Sequence, residues 1–263
     1  SGQVMGNADS EDVALGDVNR DGIVDAFVSN ANGQGNRIWL NNGKGLFRET
    51  GQSLGNANSM GLALGDLNGD GKPEIAAAGR TVENDMEHAA FAVFSDKTLI
   101  WKQLSDLGTC RYRYAMATDM TGDGHPELVL GGRIDQGDTS YALLDVWQTH
   151  RGDMRLISRY RFTGTGSARL RVVEPLPGLP GGLIIGGRLE TLHNDHMTWK
   201  GFLQQMTFES GILSPCSKPV ILDKDWETRV RTMDILENWL ITAGFTEDKT
   251  KASKAFISIY QLK

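Results

Sequence analysis

Three short stretches of the chain carry oxygen donors on alternating residues: GDVNRDGIVD from Gly16, GDLNGDGKPE from Gly65 and TDMTGDGHPE from Thr118. Counted from the first Asp of each, positions 1, 3, 5 and 9 are Asp17, Asn19, Asp21 and Asp25 in the first stretch. They are Asp66, Asn68, Asp70 and Glu74 in the second, and Asp119, Thr121, Asp123 and Glu127 in the third. Position 6 is always glycine (Gly22, Gly71, Gly124), which permits the left-handed backbone that closes such a turn. Position 7 (Ile23, Lys72, His125) offers only its backbone carbonyl. Hard oxygens in this number, with no His or Cys side chain among them, suit Ca²⁺. Each loop also crowds three carboxylates together, which repel unless a cation sits between them. Asp, Asn and Gly favour turns in any case, but that explains one such loop better than three with the same positions filled. Two to three bound Ca²⁺ ions are therefore expected, one per loop, with the third site weakest because Thr121 replaces an amide. Three ions would offset the formal net charge of −6.

The spacing D-x-N-x-D-G also opens an EF-hand. That motif needs Glu at position 12, where this chain has Val28, Ala77 and Leu130, and it needs flanking helices. The flanks here are strand-like: DVALGD before the first loop, VDAFVSN and RIWLNN after it, then a GKG turn and LFRET. These are short runs of Val, Ile, Leu and aromatics broken by Gly, Asn and Asp.

The loops recur about every 50 residues. Thirteen residues after each first Asp stands Asn30, Gly79 or Gly132. The phrase around Gly132, LVLGGRI, returns as LIIGGRL around Gly187, which marks a fourth unit whose loop, EPLPGLPGG, has lost its acids. A fifth follows in RTMDILENWLITAGF, with Asp234 in a shortened turn. Four strands per unit at this period predict an all-β protein, a β-propeller of five four-stranded blades. The expected blades run approximately over 11–55, 56–108, 109–163, 164–222 and 223–263, as one domain over 1–263. The segment GQVMGNA from Gly2 parallels GQSLGNA from Gly51, which leaves a fourth strand. Residues 1–10 are therefore expected to supply the fourth strand of the last blade and remove an open edge.

Composition narrows the partners. The chain has 263 residues, 40% hydrophobic, with 32 glycines and 7 prolines. A negative net charge argues against nucleic acid as a partner. No apolar run is long enough to span a bilayer as a helix, so no membrane insertion is expected. The chain opens on Ser-Gly in place of Met and reads as processed or trimmed. Cys110 and Cys216 make neither a disulfide framework nor a metal cluster; they pair or stay free.

The pattern D-x-[DN]-x-D-G-x-x-[DE] between two strands resembles the FG-GAP/VCBS repeat, the blade of integrin-alpha N-terminal propellers. NRIWLNNGKGLF, residues 36–47, is similar to the stretch after the calcium loop in VCBS-type repeats. The resemblance is strong for the first three units and weak for the last two. It implies mostly structural Ca²⁺, a scaffold used in extracellular adhesion, in lectins or beside carbohydrate-active enzymes, and an extracellular, cell-surface or periplasmic location. Integrin-type propellers have seven blades, so five is a departure.

Ligand contacts are expected elsewhere than in the loops. Arginines recur on the predicted first strands of the later units: Arg111 and Arg113, Arg169 and Arg171, Arg229 and Arg231. Alternate residues of innermost strands could form a basic collar suited to carboxylates or sulfates; pairing with acids on neighbouring blades is the plainer account. Of six tryptophans, Trp226 in DKDWETR is the best candidate for exposure, the rest reading as packing. RGD at Arg151 reads as a hairpin turn. No nucleophile elbow, phosphate loop or dinucleotide fingerprint is present. The expected function is a non-catalytic, calcium-binding module for a carbohydrate or protein ligand. The alternative is an enzyme or accessory domain acting on an anionic polysaccharide, with a base such as Tyr112 or Tyr114.

Overall fold

A computed structural model describes residues 2–262, apart from 56, 57, 97, 165, 194, 195, 223–226, 238 and 248–252, with the side chains of residues 193 and 196 also left out. Among the described residues there are twenty strands and no helix. The first sheet holds β1 (Ser10–Gly16), β2 (Asp25–Asn30), β3 (Arg37–Asn41) and β4 (Phe47–Glu49), and the second holds β5 (Asn58–Gly65), β6 (Glu74–Glu83), β7 (Met86–Ser95) and β8 (Thr98–Leu104). The third is built from β9 (Cys110–Thr118), β10 (Glu127–Gln136), β11 (Thr139–His150) and β12 (Asp153–Phe162). The fourth comprises β13 (Ala168–Pro175), β14 (Gly182–His193), β15 (His196–Glu209) and β16 (Ile212–Pro215), with β17 (Val220–Leu222) also on β15. The fifth has three strands, β18 (Glu227–Leu236), β19 (Trp239–Glu247) and β20 (Ser253–Gln261). Strands within each sheet follow in sequence order, the meander expected of propeller blades.

The chain divides into two compact units. One comprises Ser1–Thr118, His125–Leu130 and Gln148–Arg155; the other comprises Asp119–Gly124, Gly131–Trp147 and Leu156–Lys263. In the first unit Phe27, Ile38, Leu54, Leu62, Ile75, Ala77 and Phe94 form one buried cluster. Each large apolar side chain fully buried in this way contributes about 1.5–3 kcal/mol. Strand β6 is buried along EIAAAG, a continuous small apolar run, because both of its faces are covered. In the second unit Leu170, Val173, Leu183, Ile185 and Phe202 are buried, and Phe162 meets Phe202 edge-on at 5.2 Å.

The residue thirteen after the loop's first Asp has a structural meaning. It faces a β-bulge in the first strand of its sheet. The bulges fall between Ser10 and Asp12, Ser59 and Gly61, Leu170 and Val172, and Val230 and Thr232. Opposite them stand Asn30, Gly79 and Gly187, and in the fifth sheet Gly244, which lies ten residues after Asp234. A Cβ on Gly79 would lie 1.9 Å from the Asn58 carbonyl oxygen, one on Gly187 would lie 2.2 Å from that of Arg169, and one on Gly244 would lie 1.9 Å from that of Arg229. A backbone approach this close requires glycine. Gly79→Ala is therefore expected to destabilise the protein by about 1–3 kcal/mol, read as a lower urea midpoint. An unchanged midpoint would mean that the bulge relaxes without cost.

The N-terminal segment departs from expectation in what it touches. Residues 2–9 form no strand, and the Gln3 side chain bonds to the backbone N–H and carbonyl of Phe47 on β4, in the first sheet. Asp12 ties β1 to β5 by accepting the Leu62 N–H at 2.8 Å, and burial pushes its carboxyl above the usual range. The two cysteines do not pair: Cys110 is buried, Cys216 is exposed, and both are free.

Candidate functional site

The three acidic loops join the first and second strands of their sheets, and the position 9 acids Asp25, Glu74 and Glu127 open β2, β6 and β10. The first two loops are built alike. Asp17 accepts the Asp21 N–H at 3.0 Å and the Gly22 N–H at 2.8 Å. Asp66 likewise accepts the Asp70 N–H at 3.0 Å and the Gly71 N–H at 2.8 Å. Positions 3 and 5 each accept the N–H two residues on: Asn19 from Asp21, Asp21 from Ile23, Asn68 from Asp70, and Asp70 from Lys72. These Asx turns fold the donor oxygens into the loop. Gly22, Gly71 and Gly124 have φ of 81°, 82° and 87°, as position 6 requires. Position 4 is left-handed too: Gly69 and Gly122 at 78°, and Arg20 at 63°. Arg20 is the one of the three that carries a side chain in this strained region, and it bonds to Asp96 at 3.1 Å.

Position 9 is the buried ligand candidate. Asp25 accepts the Asn41 N–H at 2.8 Å and the Val18 N–H at 3.3 Å. Glu74 accepts the Asn68 N–H at 3.2 Å and the Asn68 side-chain N–H at 3.0 Å. Both are fully buried. Burial, more than the neighbouring Asp70 carboxylate, raises the Glu74 carboxyl above its usual range. In the third loop Asp119 accepts the N–H groups of Gly122 and Gly124 at 2.7 and 2.9 Å. Its later members His125 and Glu127 belong to the other compact unit, where Glu127 is buried and accepts the Gln148 side-chain N–H at 2.9 Å. Thr121 and Asp123 stay with Asp119 in the second unit.

The donor chemistry of the first two loops fits a hard divalent cation. All of it is oxygen, each carboxylate offers about four lone-pair positions, and a buried Glu74 gains from a cation beside it. In this structure the side-chain oxygens are held by loop N–H groups. Among the described residues no three His, Cys, Asp or Glu side chains are grouped so as to hold a metal ion.

The arginines differ in register and in partners. Residues 171 and 231 are the bulged positions of β13 and β18, so neither has a cross-strand partner in line with 169 or 229. A bulge re-aims the side chains on either side of it. Arg111 pairs with Glu87 at 2.6 Å, and Arg80 bonds the same carboxylate. Arg113 lines a polar recess of about 450 Å³ with Asp9, Glu11 and Arg80. Arg229 lies 3.3 Å from both Glu227 and Glu247. Arg169 lies over the Trp199 ring at 4.9 Å, and Arg231 lies 6.0 Å from the Phe245 ring centre. Arg171 is half-buried. Tyr112 is buried in the core, so it cannot serve as a solvent-facing base; Tyr114 is half-buried.

Trp226 lies outside the described residues. Trp39 and Trp147 are buried, as packing tryptophans should be, whereas Trp239 is 42% exposed. Arg151 and Gly152 form the two-residue turn between β11 and β12, both with positive φ, and Trp101 donates to the Gly152 carbonyl at 3.0 Å. RGD is a hairpin turn here.

The residue that the sequence reading missed is Arg188 on β14. It follows Gly187 as Arg80 follows Gly79 and Arg133 follows Gly132. Arg80 has Glu87, and Arg133 has Asp135 at 3.0 Å. Arg188 sits 4.3 Å from the Trp199 ring centre on the ring face. The repeated GGR phrase was the available signal.

Blades of this kind in sequence-order meanders define a β-propeller. The solved Dos1 propeller has a similar fold: 12% identity and a TM-score of 0.53 over 97% of this chain and 58% of that one. The chain thus spans 58% of the length of that structure, and at such identity the likeness concerns the fold alone. Residues 7–77 match the FG-GAP-like repeat family. The protein has a β-propeller fold, and its first 77 residues include a stretch similar to FG-GAP-like repeats. No curated protein matches the chain. No helix long and apolar enough to cross a membrane occurs among the described residues.

Proposed function

We propose that the protein is a non-catalytic binding module whose first blades are braced by Ca²⁺ and which presents a surface to a carbohydrate or protein ligand. The observation that carries this reading is the twice-built donor loop: Asp17 and Asp66 accept the same two N–H groups of their turns, and Asn19 and Asp21 repeat the bonds of Asn68 and Asp70, with the buried acids Asp25 and Glu74 at position 9. Those side chains, with the carbonyls of Ile23 and Lys72, would hold the ion. Its contribution there is charge neutralisation and bracing of the loop, with no reaction step. Asp119, Thr121, Asp123, His125 and Glu127 are the third and weakest candidate set. In this reading residues 1–10 complete the last sheet. The FG-GAP resemblance supports an extracellular, cell-surface or periplasmic setting, without nucleic acid or membrane insertion.

A glycan array probed with and without EDTA tests the ligand class. Signal on a defined glycan group that is lost with chelator is the expected result; a blank array with calcium present would remove the carbohydrate part of the reading. The alternative, action on an anionic polysaccharide, is favoured by one observation, the arginine cluster of the fourth and fifth sheets. Release of unsaturated or reducing ends from a polyuronate would establish it.

A further inference from the structure

The second compact unit brings Arg169, Arg188, Arg229 and Arg231 close together. Arg169 on β13 and Arg188 on β14 are direct cross-strand partners. Like charges directly opposite destabilise a sheet. Both guanidinium groups lie over the ring of Trp199. Its face is therefore covered by cations and is not a platform for a sugar. Arg229 and Arg231 on β18 add two further repulsive charges at Arg188.

Arg188 is 8% exposed, and its Nε is buried without a hydrogen-bond partner. Among the described residues it has no carboxylate within ion-pair distance. The acids nearby are spent otherwise: Glu227 and Glu247 lie against Arg229, and Glu190 accepts the Ser167 N–H at 2.8 Å. Glu190 is the counterpart of Asp135, which pairs with Arg133 in the third sheet. So the repeat position that holds a paired arginine in two sheets holds an unpaired, desolvated one in the fourth. Burial and the three neighbouring arginines push its guanidinium down to about 10, which still leaves it charged at neutral pH. A buried cation without a counter-ion is costly, and an arginine fork accepts an oxyanion in a bidentate fashion.

We propose that Arg188, with Arg169, Arg229 and Arg231 around it, forms an anion site that takes a single oxyanion group, a carboxylate or a sulfate. The site goes beyond the binding-module reading, because an anion there requires neither calcium nor a glycan. Entry is from the side of Arg231, which is exposed. Glu227 is the competitor already present, so it weakens the site for any added anion.

The test is thermal unfolding and calorimetric titration of the full chain with sodium sulfate and sodium glucuronate, against sodium chloride at matched ionic strength. Either oxyanion should raise the melting temperature above the chloride control, and the stronger arm names the group. Arg188→Met should weaken that binding about tenfold or more without lowering the anion-free melting temperature, since it also removes a like-charge contact. Glu227→Gln should strengthen it several-fold. Should Arg188→Met fail to fold, the Glu227→Gln comparison decides alone. The proposal is overturned if neither oxyanion exceeds chloride, or if the variants titrate as the parent protein does. Both outcomes are independent of the calcium loops, because the titrations are run with EDTA and again with calcium.

Discussion

Chelation with EDTA is expected to lower the melting temperature by about 10–20 °C. The estimate follows from mass action: an ion held at a hundred times its dissociation constant stabilises the native state by about 2.7 kcal/mol, and two matched loops make about 5 kcal/mol. For a domain of this size each kcal/mol moves the midpoint by about 2–4 °C. Calcium should restore the midpoint, whereas magnesium should do so poorly, because its small octahedral shell is reluctant to shed water. Asp17→Ala and Asp66→Ala should each remove part of the response, and the double variant most of it. The variants also lose loop N–H bonds, two for Asp17 (Asp21 and Gly22) and three for Asp66 (Gly69, Asp70 and Gly71). Each such bond is worth about 1 kcal/mol, so the variants start from a lower metal-free midpoint. The quantity to compare is therefore the difference with and without EDTA. A midpoint that ignores chelator in the parent protein would leave these loops as well-made turns and nothing more.

The period of the chain was legible because the loops are local. An Asp whose two oxygens cap its own turn needs no distant partner, so its spacing survives as sequence. The landmark thirteen residues on was legible as well, and the structure supplies its reason: Gly79 and Gly187 each stand where a first-strand carbonyl leaves no room for a Cβ, as does Gly244, which the count did not mark. The bulge that creates this crowding has no residue signature of its own, since it falls on Glu11, Met60 and, twice, an arginine (Arg171 and Arg231). For that reason the strict alternation read for Arg169 and Arg171, and for Arg229 and Arg231, is interrupted within β13 and β18. Partner choice was equally hidden. Arg80, Arg133 and Arg188 follow the same glycine, yet the first finds Glu87 across a hairpin, the second finds Asp135 two residues on, and the third finds a tryptophan face. Hairpin length and side-chain packing decide among these outcomes, and both are properties of the folded sheet.

Arg159→Ala is expected to destabilise the protein by about 3–5 kcal/mol, the cost of stranding a buried charge. Arg159 on β12 grips Asp145 on β11 with both ends of its fork: Nε donates to Oδ1 at 2.8 Å and Nη2 donates to Oδ2 at 3.0 Å. The Asp145 side chain is entirely buried. Without the arginine its carboxylate would keep its desolvation cost and lose its strongest counter-charge. Urea unfolding should show the loss, and Asp145→Leu combined with Arg159→Leu should recover most of it, because an apolar pair of similar size carries no desolvation cost. If the single and double variants are equally unstable, the pair matters for packing and not for charge. Arg188 supplies the converse. It is more buried than Arg159, and most of the charges around it are arginines, so replacing it by Met removes repulsion. Two arginines in one compact unit should thus respond to truncation with opposite signs. The sign is set by what each guanidinium faces: a carboxylate already in the fold, or a place for an oxyanion from outside it.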